Sequence, residues 1–346
     1  MGKIVSLQIL RGVAATLVAG FHLFAAAEAE GADPGLFWLF SGGEIGVDVF
    51  FVISGFIIFH ISRNRPGMTR SAFLQSRFWR ILPPYWAILS LYILAALGLA
   101  MLLGDRGKLP DGSSLLISYL LLPHPDQVIV IAWTLSLELL FYALFAATFF
   151  GGGARRLIAA MVLWAAAAQA FAFLVEDKPV WLLIPLQTAV LEFLFGILIA
   201  IGHGALNGRR PPWRLPAFVA GAAGVLLGSA TGGLHVEGLG REIASGVFAA
   251  LLVYGALGFS LRDMPLLETW GESSYILYLL HILWFSVVGK AVEVLAGVNV
   301  YASQAWMLAL LVSVVAASCA GVVWIERPYQ RWYRRRIARP ALARAA

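Results

Sequence analysis

Apolar residues along this chain run in blocks much longer than the short stripes of a water-soluble fold. Blocks of about 20 residues, enough for a helix to cross a bilayer, lie near residues 7–27, 45–62, 81–103, 129–150, 156–175, 181–202, 215–231, 243–260, 272–289 and 303–325. The pattern therefore predicts an all-α, polytopic membrane protein with about ten transmembrane helices. Glu192 interrupts the sixth block and glycine dilutes the seventh. A shorter apolar piece, Leu115 to Leu122, cannot span and is expected to lie at the surface or re-enter.

Composition agrees with that reading. Of 346 residues, 60% are hydrophobic and 13% charged, against about 25% charged in soluble domains. Mean hydropathy is +0.83. Twelve Trp and ten Tyr suit interfacial belts. A lone cysteine, Cys319, rules out a disulfide framework and a cysteine metal site.

The net charge of +6 matters through its placement. With the N-terminus inside, only Arg106, Lys108, Lys178, Arg241 and Lys290 of the 25 Lys and Arg fall on the outer side. Lys3, Arg11, the group from Arg63 to Arg80, Arg155, Arg156, Arg209, Arg210, Arg214, Arg262 and the tail arginines fall inside. The positive-inside rule then predicts cytoplasmic termini and an even number of spans. Residues 1–325 read as one transmembrane domain and 326–346 as a basic cytoplasmic tail. No soluble domain is expected. The tail, ERPYQRWYRRRIAR, interleaves Tyr329, Trp332 and Tyr333 with arginine and is expected to anchor on anionic lipid. Basic residues in short loops give no nucleic-acid surface. Nothing in the pattern specifies an oligomeric state. A cleaved signal peptide is disfavoured by Arg11 inside the first block and His22 just before its small residues.

Polar side chains inside the apolar blocks carry the chemistry. In LRGVAATLVAGFHLF, Arg11 and His22 are eleven residues apart, about three turns on one helix face and about 16 Å along the axis. An ionisable group at that depth is expensive among lipid and marks a functional candidate. A core histidine satisfied by a neighbouring helix is the plainer account. The second block begins with Glu44 and Asp48 one turn apart, then Ser54 and Gly55 form a small-residue notch for another helix. Asp48 reads equally as a helix N-terminal charge or as a site residue within reach of His22. In SRFWRILPPYW, Arg77 and Arg80 share one face of a turn, and Pro83 and Pro84 are expected to start the third span. Paired guanidinium forks beside Trp79 and Tyr85 suit a phosphate-bearing ligand with an aromatic base, with positive-inside anchoring as the alternative. In AWTLSLELLFYALF, after Trp133, the residues Thr134, Glu138 and Tyr142 step by four into one stripe. Thr188 and Glu192 repeat the theme, and Ser274, Tyr278 and His281 share a face of the ninth block. Such groups are expected to converge on a wet cavity, with a structural polar network as the alternative. The six histidines, His22, His60, His124, His203, His235 and His281, are scattered with no HExxH pair, so no metal is expected. No Gly-x-Ser-x-Gly elbow is present.

The ordered set LRGVAATLVAGFH, GVDVFFVISGFII, RFWRILPPYW, WTLSLELLFY, SSYILYLLH and ERP resembles the membrane-bound acyltransferase family 3, along the whole chain and in the family's order. Within it, the sequence is most similar to bacterial enzymes that acylate exopolysaccharide and other surface glycans in the cytoplasmic (inner) membrane. The resemblance implies ten core helices, an acyl-CoA donor such as acetyl-CoA, and a hydroxyl acceptor on a glycan or lipid-linked sugar. It implies that His22 and Arg11 are essential and that Arg77 and Arg80 serve the donor side. Some members carry a fused extracytoplasmic hydrolase-like domain, and this chain is expected to lack one. In the mechanism that follows, His22 is the general base, Glu138 or Asp48 orients it, and Arg11 holds the donor or a carboxylate partner. Tyr85 belongs with the donor arginines. Ser54, Trp133, Tyr142, Glu192, Tyr278 and His281 form the surrounding substrate or polar network. An acyl-histidine relay is a variant of the same reading. The rival is a proton-coupled transporter or flippase of a glycan precursor, with His22, Glu138 and His281 as its relay.

Overall fold

The computed structural model describes residues 4–103, 109–206, 208–209, 211–234, 241–333 and 335–336. Lys3, Arg106, Lys108, Arg210, His235, Arg334, Arg339 and Arg344 lie outside the described residues. Among the described residues there is no strand, and the α-helices are joined by turns, 3₁₀ segments and longer loops such as residues 120–132 and 175–189. They form two compact units, one of Met1–Pro66 with Leu191–Tyr329, the other of Gly67–Val190 with Gln330–Ala346.

The first unit is packed around α1 (Val5–Ala29). Its buried face is built from Gly12, Ala14, Ala15, Ala19, Gly20 and Ala27, residues small enough to let other backbones come close. Helices α2 (Ile45–Arg63), α8 (Arg241–Ala256), α9 (Pro265–Glu272), α10 (Ser274–Ala296) and α11 (Gln304–Gly321) all touch it. One apolar core joins Ala15, Ala19 and Leu23 of α1 to Leu277 and Phe285 of α10 and Met307, Leu310 and Val314 of α11. The notch expected at Ser54 and Gly55 is used by α6 (Val190–Ala205). A Cβ on Gly55 would lie 2.1 Å from the Phe193 carbonyl oxygen, and one on Gly196 would lie 2.1 Å from that of Val52. The two backbones can be this close only because both positions are glycine. Helix α7 (Arg214–Ala230) pairs with α8. After α11 the chain passes through a π-helical turn, Val322–Glu326, into α12 (Arg327–Tyr333).

The second unit holds α3 (Arg70–Leu103), α4 (Gly112–Tyr119) and α5 (Trp133–Leu174). Here the element boundaries differ from the sequence reading. Pro83 and Pro84 do not open the third span but lie inside α3, which begins at Arg70. The prolines remove two helical donors, a loss membrane helices tolerate. Residues 70–80 are held helical ahead of them because Phe73 is buried against Phe145, Phe150 and Tyr142. The fourth and fifth blocks run on as one helical stretch with a break at Gly153 (φ 72°, ψ −166°). That conformation is open essentially only to glycine. The sixth block is shorter than expected: residues 180–182 form a 3₁₀ turn and α6 begins at Val190. The short piece near Leu115 is α4, capped by Asp111, whose carboxylate accepts from the Ser114 N–H at 2.7 Å and the Ser113 hydroxyl at 2.9 Å.

Among the described residues, six helical stretches are long and apolar enough to cross a membrane. Three shorter apolar helices, Val190–Ala205, Arg214–Ala230 and Ile243–Ala256, add to them. The chain is a multi-pass membrane protein.

Candidate functional site

In the first unit the site starts from α1. Arg11 and His22 lie on this one helix, as the spacing requires, and the Arg11 guanidinium reaches Gln8 Oε1 at 3.5 Å. His22 Nδ1 lies 2.9 Å from the carbonyl oxygen of Val18, one turn back. On α10, His281 repeats the arrangement, with Nδ1 3.0 Å from the Leu277 carbonyl. The two imidazoles face each other, with ring centroids 4.9 Å apart. His281 Nε2 stands 3.3 Å from His22 Nδ1.

These distances decide where the protons sit. A carbonyl oxygen only accepts, so each Nδ1 carries its proton. His281, fully buried, then presents the lone pair of Nε2 toward the Nδ1–H of His22, which it shares with Val18. The same tautomer leaves the lone pair of His22 on Nε2. His22 is thus set up to accept a proton at Nε2. The cation so formed would keep its Nδ1–H pointed at two acceptors.

Around the pair, Tyr278 is buried on α10, its ring 6.1 Å from that of His281 and 6.0 Å from Phe50 of α2. Ser274 is buried one turn before Tyr278. Asp48 is 2% exposed in the first turn of α2, and Glu192 is fully buried in the first turn of α6. Ser54 stands beside the glycine contact of α2 with α6. His22 Nδ1 therefore faces His281, a residue the sequence placed only in the wider network. No short motif signals this pairing, because 259 positions separate the partners.

The second unit gathers a different set. The Tyr142 hydroxyl donates to Glu138 Oε1 at 2.6 Å, so two members of the expected stripe are joined along α5. Thr134, the third, turns back to the Ile131 carbonyl at 3.0 Å. Trp133 opens the helix. The Arg77 guanidinium lies over the rings of Phe73 at 5.7 Å and Tyr142 at 6.0 Å. Its charge is felt together with those of Glu138 and Arg80. Arg80, one turn on, is exposed. Tyr85 corrects the sequence reading. It is fully buried, and its hydroxyl donates to the Ser118 carbonyl at 2.9 Å, tying α3 to α4. It is a packing residue.

Among the described residues no group of three His, Cys, Asp or Glu stands ready to hold a metal ion.

The family profile described as an acyltransferase domain matches residues 4–325. An exopolysaccharide production protein, ExoZ, of Rhizobium meliloti (strain 1021) is 34% identical over 344 residues, covering 94% of this chain and 99% of that protein. The acyltransferase MdmB of Streptomyces mycarofaciens is 29% identical over 334 residues, covering 85% of this chain and 82% of that protein. No solved structure matches the chain.

Proposed function

The chain belongs to the acyltransferase 3 family of membrane acyltransferases, and from that premise we propose that it moves an acyl group, acetyl or similar, from cytoplasmic acyl-CoA to a hydroxyl of an exported or lipid-linked glycan. The observation that carries the reading is the His22–His281 pair, with a lone pair held at His22 Nε2. The glycan acceptor is supported by the name of the ExoZ relative, an exopolysaccharide production protein, and by its coverage of nearly the whole chain.

His22 Nε2 takes the proton of the acceptor hydroxyl as its oxygen attacks the thioester carbonyl. The C–O bond forms, the C–S bond breaks, and the proton passes from His22 to the departing thiolate, giving the ester and free CoA. His281 touches no reacting atom. It is a positioning residue that accepts from Nδ1–H and so favours the protonated form of His22 in mid-reaction. Arg11 holds the donor or a carboxylate partner on the same face of α1. Arg77 and Arg80 bind donor phosphates, with Arg77 lying over the rings of Phe73 and Tyr142.

We further place the chain in the bacterial cytoplasmic membrane, with both termini inside and ten crossings. Gly153 divides the apolar stretch Val130–Leu174 in two, and the three shorter apolar helices complete the number.

The test uses membranes carrying the protein, labelled acetyl-CoA and a glycan acceptor. Release of CoA with label in the glycan is the expected result, and His22→Ala should insert normally yet lose it. A proton-coupled transporter would leave the thioester intact. Full transfer by His22→Ala would end the assignment of the base.

A further inference from the structure

The tail segment that the sequence suggested as a lipid anchor also makes ring contacts with α3. In the second unit, Trp79 of α3 meets two rings from the C-terminal segment. Its ring centroid is 5.9 Å from that of Tyr333, at 31°, and 6.3 Å from that of Trp332, at 68°. Arg77, two residues before Trp79, is close enough for its charge to act on Tyr333. Arg80 follows Trp79, and Arg335 and Arg336 follow Tyr333, all three exposed. Two segments some 250 positions apart thus build one patch, with three indole and phenol rings at its centre and exposed arginines next to those rings along both segments. The carboxylate that acts on Arg77 is Glu138, already bonded to Tyr142.

Flat π-faces bordered by planar, bidentate cations match one ligand chemistry well: a purine nucleotide bearing several phosphates. A lipid anchor would use the cations and interfacial rings separately, whereas a nucleotide needs them gathered at one point, as they are around Trp79. We propose that Trp332, Tyr333, Arg335 and Arg336 complete the donor site begun by Trp79, Arg77 and Arg80. The rings would stack the adenine, and the tail arginines would take the 3′-phosphate and diphosphate of CoA. This rests on the acyl-CoA reading above, and the tail then acts in donor recognition.

Two measurements separate the two claims. The first is equilibrium dialysis of labelled adenosine 3′,5′-bisphosphate against the full chain in nanodiscs, which requires no turnover. Wild type should bind it. Tyr333→Ala, and Arg335→Ala combined with Arg336→Ala, should weaken binding by about tenfold, within the range for losing a base–aromatic stack or phosphate contacts. Tyr333→Phe should bind like wild type, because the stacking face remains. The second is the ratio of kcat/KM for acetyl-CoA to that for acetyl-pantetheine, which lacks the nucleotide. That ratio should fall about tenfold in the same variants. An unchanged ratio and unchanged bisphosphate binding would overturn the tail's role while leaving acyl transfer intact. A parallel loss with both donors, restored by anionic lipid, would make the tail a lipid anchor and also overturn it. If wild type transferred from neither donor, the acyl-transfer reading would fall. The dialysis would then decide the nucleotide site alone, with no binding overturning it.

Discussion

At the scale of single residues, the chemistry depends on which nitrogen carries a proton. His22 is conspicuous in the sequence because an imidazole deep in an apolar block is costly. Its partner is not, because His281 is equally explained there as one more polar residue in a network. Two local bonds, to Val18 and to Leu277, set both tautomers, and the 3.3 Å approach makes one ring the acceptor for the other. His22→Ala should lower the acylation rate by about a hundredfold or more, as loss of a general base does. His281→Leu should lower kcat by less, with the KM for donor unchanged. His281→Gln, whose amide oxygen can still accept, should recover part of the loss. Equal defects in both His281 variants would show that the residue only fills space. Tyr85→Phe should cost about 1 kcal/mol of stability, by thermal unfolding, for the hydrogen bond it removes. It should leave donor KM unaltered, since that hydroxyl is spent on Ser118.

At the scale of elements, blocks of the right length told helix from loop, but their ends were set by packing. Pro83 and Pro84 looked like a helix start because proline is at home in a first turn. Burial of Phe73 against the α5 aromatics instead extends α3 back to Arg70. Glycine positions are where the elements are most vulnerable. Gly153→Ala should cost about 1–3 kcal/mol, because its backbone sits where a Cβ clashes. Gly55→Ala must push α2 away from α6, since the new carbon would overlap the Phe193 carbonyl. Both appear as a lowered unfolding temperature. The Asp111 cap gives α4 a pH dependence. Its hydrogen bonds from Ser114 and Ser113 hold the carboxyl below the usual carboxylate range. The folded form of that group is therefore favoured at neutral pH, and the benefit is lost as pH falls through the depressed value. Protection of the Ser114 amide relative to its intrinsic exchange rate should fall in strong acid for wild type, and Asp111→Asn should abolish that fall.

At the scale of the molecule, the charge bias predicts a sidedness that labelling can read. With Cys319→Ser as background, Lys178→Cys should react with an impermeant maleimide added outside, and Arg155→Cys only after the membrane is opened. The reverse pattern would invert the proposed topology. Residues were legible in the sequence where composition alone limits the outcome. Long apolar blocks must become membrane helices, and rare polar groups within those blocks must be shielded from lipid. The ordered motifs also placed the chain in its family, whose profile matches residues 4–325. Contacts between distant segments were decided only by the tertiary structure: the pairing of His22 with His281, the burial of Tyr85 and the packing of the tail's rings on Trp79. Local pattern sets which face of a helix is polar, whereas the partner of that face depends on how helices far apart in sequence pack, and no spacing within one helix encodes that.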